Sequence, residues 1–122
     1  MTTQEIADKL IAYCAVGNFH DAMETLYSHD IVSVEAGAPP GGDREAKGID
    51  AVRAKGQWWQ DNHEVHSAKV EGPLVAGDFF AVTFKLEVTF KPTGNRFVME
   101  EIAVYHCAGG KIAREEFFYK VG

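Results

Sequence analysis

An α+β fold, helices packed on one face of a curved antiparallel sheet, is predicted by three features of the sequence. Residues 3–16, 18–28 and 48–61 carry apolar side chains at helical spacing. Residues 79–91, FFAVTFKLEVTFK, alternate without interruption: Phe80, Val82, Phe84, Leu86, Val88 and Phe90 fall on one face, and Thr83, Lys85, Glu87 and Thr89 on the other. Turn signals at Ala76-Gly77-Asp78, Thr93-Gly94 and Gly109-Gly110 divide the second half of the chain into four strands in series. Helices that precede such a meander have a sheet face to cover.

Each element has its own warrant. Thr2 or Thr3 caps the first helix, whose apolar stripe is Ile6, Leu10, Tyr13 and Cys14; Gly17-Asn18 stops it. The second helix buries Phe19, Ala22, Met23 and Leu26. Residues 31–36, IVSVEA, are β-branched and read as a strand, followed by a Pro/Gly-rich loop over 37–45. In the third helix Ile49, Val52 and Trp59 face inward, and Gly56 allows close packing against the sheet. A strand over 63–75 bends near Gly72-Pro73, because proline donates nothing to a ladder. Strands over 96–107 and 111–120 complete the chain, which is expected to form one domain over residues 1–122.

Composition excludes several functions. The net charge is −6, and lysine and arginine form no basic run, so neither nucleic acid nor an anionic membrane is an expected partner. No apolar stretch reaches membrane-spanning length, and MTTQEIADKL lacks the basic and apolar regions of a signal peptide; a cytoplasmic location is expected. Cys14 and Cys107 lie in apolar segments without metal or redox spacing and read as reduced core thiols. His63 and His66 form an H-x-x-H, but on a strand they point oppositely, so no metal site is expected. The sequence has no P-loop, dinucleotide or Ser-His-carboxylate motif, and no cofactor is expected.

Chemistry concentrates between Arg96 and Tyr119, where four carboxylates (Glu100, Glu101, Glu115 and Glu116) interrupt apolar strands. A two-residue turn at Thr93-Gly94 would oppose Phe90 to Phe97, Leu86 to Glu101 and Val82 to Tyr105, placing Glu101 and Tyr105 on the apolar face. A three-residue turn at 76–78 carries that face back to Val70, Ala68 and His66, with His63 pointing away. For the last hairpin, an unbulged turn brings in Arg114 and Glu116. A bulge would bring in Glu115, Phe117 and Tyr119 instead; the unbulged form is preferred because Gly-Gly suits a primed turn.

The expected catalytic set is therefore Glu101, His66, Tyr105 and Glu116. Glu35, Trp59, Phe84 and Arg114 are the expected ligand-binding set. Glu101 is the first candidate for acid or base, since burial raises a carboxylate's pKa toward neutrality; the structural alternative is a Glu101–Arg114 ion pair. Val98, Ile102, Val104, Ala113, Phe117 and Tyr119 would form an apolar outer face that a second subunit covers.

The element order, the segment WWQDNHEVHSAKVEGPLVAGDFFAVTF and the closing VYHCAG and GKIAREEFFY resemble the SnoaL-like branch of the NTF2-like (nuclear transport factor 2-like) superfamily over essentially the whole chain. The resemblance implies a cone: a strongly curved sheet wrapped around three helices, open at one end onto a deep apolar pocket, often dimeric. It implies a small apolar ligand. It does not fix an activity, because the superfamily includes isomerases, cyclases, dehydratases, epoxide hydrolases and non-catalytic binding domains. SnoaL-type cyclases carry a His and an Asp on the last strand. Glu115 and Phe117 stand at those positions here, so the resemblance does not carry polyketide cyclisation with it.

Overall fold

The computed structural model describes residues 1–38 and 41–121. Its elements are α1 (Thr3–Ala15), α2 (Phe19–Leu26), β1 (Tyr27–Val34), β2 (Glu45–Lys47), α3 (Ile49–Asn62), β3 (His63–Ala76), β4 (Phe79–Phe90), β5 (Asn95–Ala108) and β6 (Lys111–Phe118). One six-stranded mixed sheet runs in the order β2-β1-β6-β5-β4-β3. The sheet is curled but not closed. β3 to β6 form the antiparallel meander, and β1 joins β6 in parallel.

Two elements differ from the sequence reading. β1 starts earlier, directly at the end of α2, and the short edge strand β2 forms at the end of the expected loop, where no strand was expected. Pro39 and Pro40, at the centre of the expected loop, lie outside the described residues.

The helices cover the concave face. Thr2 caps α1 in a reciprocal box with Glu5: the Glu5 N–H donates to Thr2 Oγ1 at 3.1 Å and the Thr2 N–H to Glu5 Oε1 at 3.0 Å. Ile6, Leu10 and Cys14 of α1, Leu26 of α2 and Val52 of α3 are buried against Phe80, Val82, Phe84, Leu86 and Val88 of β4. At roughly 1.5–3 kcal/mol per fully buried large apolar side chain, this interface is the main stabilising term. Gly56 opens space for α2 rather than for the sheet, since a Cβ there would stand 3.0 Å from Met23 Cε. Cys14 and Cys107 are buried free thiols, and burial raises Cys14 to about 12.

Three irregularities set which side chains face inward. The β4–β5 connection takes residues 91–94: the Gly94 N–H donates to the Phe90 carbonyl at 2.8 Å, and Phe90 opposes Asn95. The register therefore slips by two from the expected one, with Phe84 opposite Glu101 and Phe80 opposite Tyr105. An even slip preserves the face, so Glu101 and Tyr105 remain inside. In β3 the pairing jumps from Val65–Val88 to Ser67–Glu87, leaving His66 in a bulge. His66 is exposed and bonded to Thr89 at 2.7 Å, while His63, opposite Phe90, turns inward. Both histidines thus reverse the expected facing.

The third irregularity lies in β6. The Gly109-Gly110 turn is primed, with both φ angles positive at 60° and 75°, and Ala108 opposes Lys111. The pairing then skips Ala113, passing from Cys107–Ile112 to His106–Arg114. This bulge inside the strand overrides the unbulged register. Glu115 and Phe117 face inward opposite Tyr105 and Ala103, while Arg114 and Glu116 face outward and pair with each other at 3.4 Å.

Candidate functional site

Between the helices and the concave sheet lies a cavity of about 1300 Å³, larger than the ~300–1,000 Å³ of common ligand pockets. Its wall is mostly apolar and includes Leu10, Phe84, Leu86, Phe97, Met99 and Phe117. Among the described residues, its buried or half-buried acidic and lysine side chains are Glu101 on β5, Glu115 on β6, Glu35 just past β1 and Lys55 on α3, while the lining residues Asp43, Arg44 and Arg53 are exposed.

Glu115 is buried and fully engaged. Tyr27 donates to its Oε2, and Ser33 donates to its Oε1 at 2.7 Å. Lys55 donates to Ser33 Oγ and, at 2.8 Å, to Glu35 Oε1; Tyr119 donates to Glu35 Oε2 at 2.9 Å. The result is one continuous belt, Tyr27–Glu115–Ser33–Lys55–Glu35–Tyr119, which ties β1, β6 and α3 together. The fold builds it locally. Parallel pairing sets Ser33 beside Glu115. Lys55 reaches Ser33 on β1 and Glu35 just past its end. Burial raises the pKa of Glu115, with the Tyr27 hydroxyl, Lys55 and Ser33 pulling against it.

Glu101 stands apart from the belt. Among the described residues no donor bonds its carboxylate. Burial raises it to about 7; the negative charge of Glu35 adds to the rise, and the Lys55 ammonium opposes it. The expected alternative partner is absent: Arg114 lies on the outer face between Glu116 at 3.4 Å and Glu45 at 4.0 Å. Tyr105 stacks on Phe80 at 4.7 Å and reaches the cavity, and among the described residues its hydroxyl has no hydrogen-bond partner. Burial, with the nearby Glu115, holds the phenol well above its ordinary pKa, so it remains a donor. Glu101 and Tyr105 are four residues apart on one strand, about 13 Å along it. A ligand touching both must be more than a few atoms long.

Of the residues expected from sequence, the structure brings Glu101, Tyr105, Glu35, Trp59 and Phe84 to one cavity and leaves His66, Glu116 and Arg114 outside it. Sequence reasoning missed Lys55, Ser33, Tyr27 and His63. A helical lysine three residues after Val52 reads as solvated, and only the parallel β1–β6 pairing reveals its partners. Among the described residues no group of three potential metal ligands occurs, and no helix is long and apolar enough to cross a membrane.

A curled mixed sheet around three helices, with an apolar cavity between them, is the NTF2-like, ketosteroid-isomerase-like α+β fold. The chain belongs to the SnoaL-like domain family, whose pattern matches residues 1–119. A Mesorhizobium loti protein, described provisionally as a SnoaL-like polyketide cyclase and also as a carbohydrate phosphatase, is 44% identical over 98% of this chain and 100% of its own, with a TM-score of 0.91. Two others share the fold alone. A provisionally assigned isomerase from Bacillus subtilis is 18% identical over 97% of this chain and 86% of its own, with a TM-score of 0.78. A protein with a ketosteroid-isomerase-like fold from Catenulispora acidiphila, solved in complex with trimethylamine, is 19% identical over 98% of this chain and 88% of its own, with a TM-score of 0.74. No match was found among curated proteins.

Proposed function

We propose that this SnoaL-like protein binds a small apolar molecule in its cavity and moves a proton on it, with Glu101 as general base and conjugate acid. The observation that carries this reading is a carboxylate in an apolar cavity, raised to about 7, to which no donor among the described residues is bonded. A base poised near neutrality combines a useful ionised fraction with enough basicity to take a proton. When Glu101 accepts a proton from carbon, its negative charge passes to the substrate; the Lys55 ammonium, whose charge already acts on Glu101, favours that negative charge. Tyr105 offers a neutral O–H to an oxygen deeper in the cavity. Phe84 and Trp59 form apolar walls, and Glu35 holds Lys55 in place. Isomerisation, cyclisation, dehydration and hydrolysis all remain within this proton-transfer class.

A non-catalytic binding module is the second reading, favoured by the belt, which neutralises Glu115 and Glu35 internally. A generic carbon acid separates the two. Nitrobenzisoxazole loses its ring proton to a base while its N–O bond breaks to give a nitrile and a phenolate. The base reading predicts turnover by the wild type and a loss of at least about a hundredfold in Glu101→Gln, with the fold retained and the melting temperature no lower than that of wild type. Equal turnover in both proteins sinks the catalytic role and leaves the binding module.

We further propose that two copies pair through the outer face of β5 and β6. Val98, Ile102 and Phe118 stand about half exposed there, whereas Phe117 and Tyr119, expected on that face, turn inward. Light scattering should give twice the chain mass, and Ile102→Asp should halve it.

A further inference from the structure

The inner wall leaves unexplained the end of the cavity where the lining residues Trp58 and Phe97 are exposed, which we call its mouth. There the end of α3 and the start of β3 gather Trp58, Trp59, His63 and Phe90. His63 lies flat on Trp59, with centroids 4.4 Å apart and planes at 13°, and tilts against Phe90 at 5.2 Å. Its Nδ1 is 2.8 Å from the Trp59 carbonyl oxygen. A carbonyl only accepts, so Nδ1 carries the proton and, in the neutral ring, Nε2 holds a lone pair. Among the described residues Nε2 has no partner, and His63 lines the same cavity as Glu101. The ring is thus locked by stacking on one side and by a backbone bond on one nitrogen, and its other nitrogen is bonded to none of the described residues. The bulge at His66 produces this placement, since it sets His63 opposite Phe90.

We propose that His63 Nε2 is a hydrogen-bond acceptor at the mouth that reads an O–H or N–H on a flat ligand lying along the Trp59–His63 wall. The proposal rests on the reading of the cavity as a small-molecule site and adds the class of molecule. Asn95, next to the mouth, is six residues from Glu101 on β5, about 20 Å along the strand and less across its curl. The ligand is therefore elongated and largely apolar, with its reacting carbon at Glu101 and a hydrogen-bond donor at its outer end. The size of the cavity suits such a molecule.

The test compares two flat probes, naphthol with the donor and methoxynaphthalene without it. Methylation removes the donor and adds one methyl group, so the preference is read as a change between proteins: both probes are titrated into the wild type, His63→Phe, His63→Asn and Glu101→Gln. Phe keeps an aromatic ring against Trp59. Asn keeps an N–H for the Trp59 carbonyl but has no atom at the Nε2 position, so one variant covers the other if folding suffers. The wild type should bind naphthol about three- to tenfold more tightly, the worth of one hydrogen bond. In both His63 variants that ratio should fall to about one, and in Glu101→Gln it should persist. A ratio that survives both His63 substitutions, or no preference in the wild type, overturns the proposal. A ratio lost only in Glu101→Gln overturns it too, because the hydroxyl is then read at Glu101, and the base reading stands. Binding of neither probe to any of the four proteins contradicts the cavity reading itself.

Discussion

Glu101 and Glu115 sit on the same face of adjoining strands, line the same cavity and are both raised by burial, yet they are built differently. Glu115 has a donor on each oxygen and closes a belt that holds β1, β6 and α3 together. Glu101 has no donor among the described residues and meets Phe84 across the ladder. Burial alone therefore does not mark a reactive carboxylate. One with its lone pairs satisfied is a structural joint, whereas one left to the cavity has capacity for a substrate.

The largest stability effect should come from cutting the joint. Glu115→Ala leaves the Tyr27 and Ser33 hydroxyls without their acceptor in a buried place and should cost about 3 kcal/mol or more, read by denaturant unfolding. Wild-type stability in that variant would break the comparison from the structural side. Lys55→Met strands Glu35 and should cost about 1–3 kcal/mol. It should also move the pH midpoint of turnover upward, because the Lys55 ammonium holds Glu101 down.

Glu101 should behave in the opposite sense. Its folded-state pKa of about 7 lies above its ordinary 4.5, so the folded protein holds its proton more tightly than the unfolded chain. The associated stability is fully present below about pH 4.5 and is lost as the pH rises through 7. Glu101→Gln should therefore gain about 1–3 kcal/mol over wild type at alkaline pH and little in acid, seen as a flatter plot of melting temperature against pH. The smallest effects belong to the residues outside the cavity. His66→Ala and Arg114→Ala should each shift stability by less than about 0.5 kcal/mol and leave turnover unchanged.

The fold was legible because its signals were local. The alternation of β4, the Thr2 cap and the glycine turns depend on neighbours in sequence, and so does the facing of Glu101, which an even slip in register could not reverse. The rest of the site was less legible for a matching reason. Single-residue bulges at His66 and Ala113 each flip the face of what lies beyond them, exchanging His66 for His63 and Glu116 for Glu115. Neither bulge has a glycine or proline to announce it. The belt depends on parallel pairing between strands about eighty residues apart, which no local pattern encodes. The Tyr27 strand start was hidden for the same reason, since its partner is Ile112.

The most direct test sets the two carboxylates against each other in one assay: nitrobenzisoxazole turnover as a function of pH for wild type, Glu101→Gln and Glu115→Gln. Wild-type turnover should rise with pH to a plateau, with a midpoint near 7. Glu101→Gln should lose at least about a hundredfold of the plateau rate, while folded Glu115→Gln should stay within a few-fold of wild type. The reverse pattern, with activity lost at Glu115 and kept at Glu101, would contradict the assignment of base and joint.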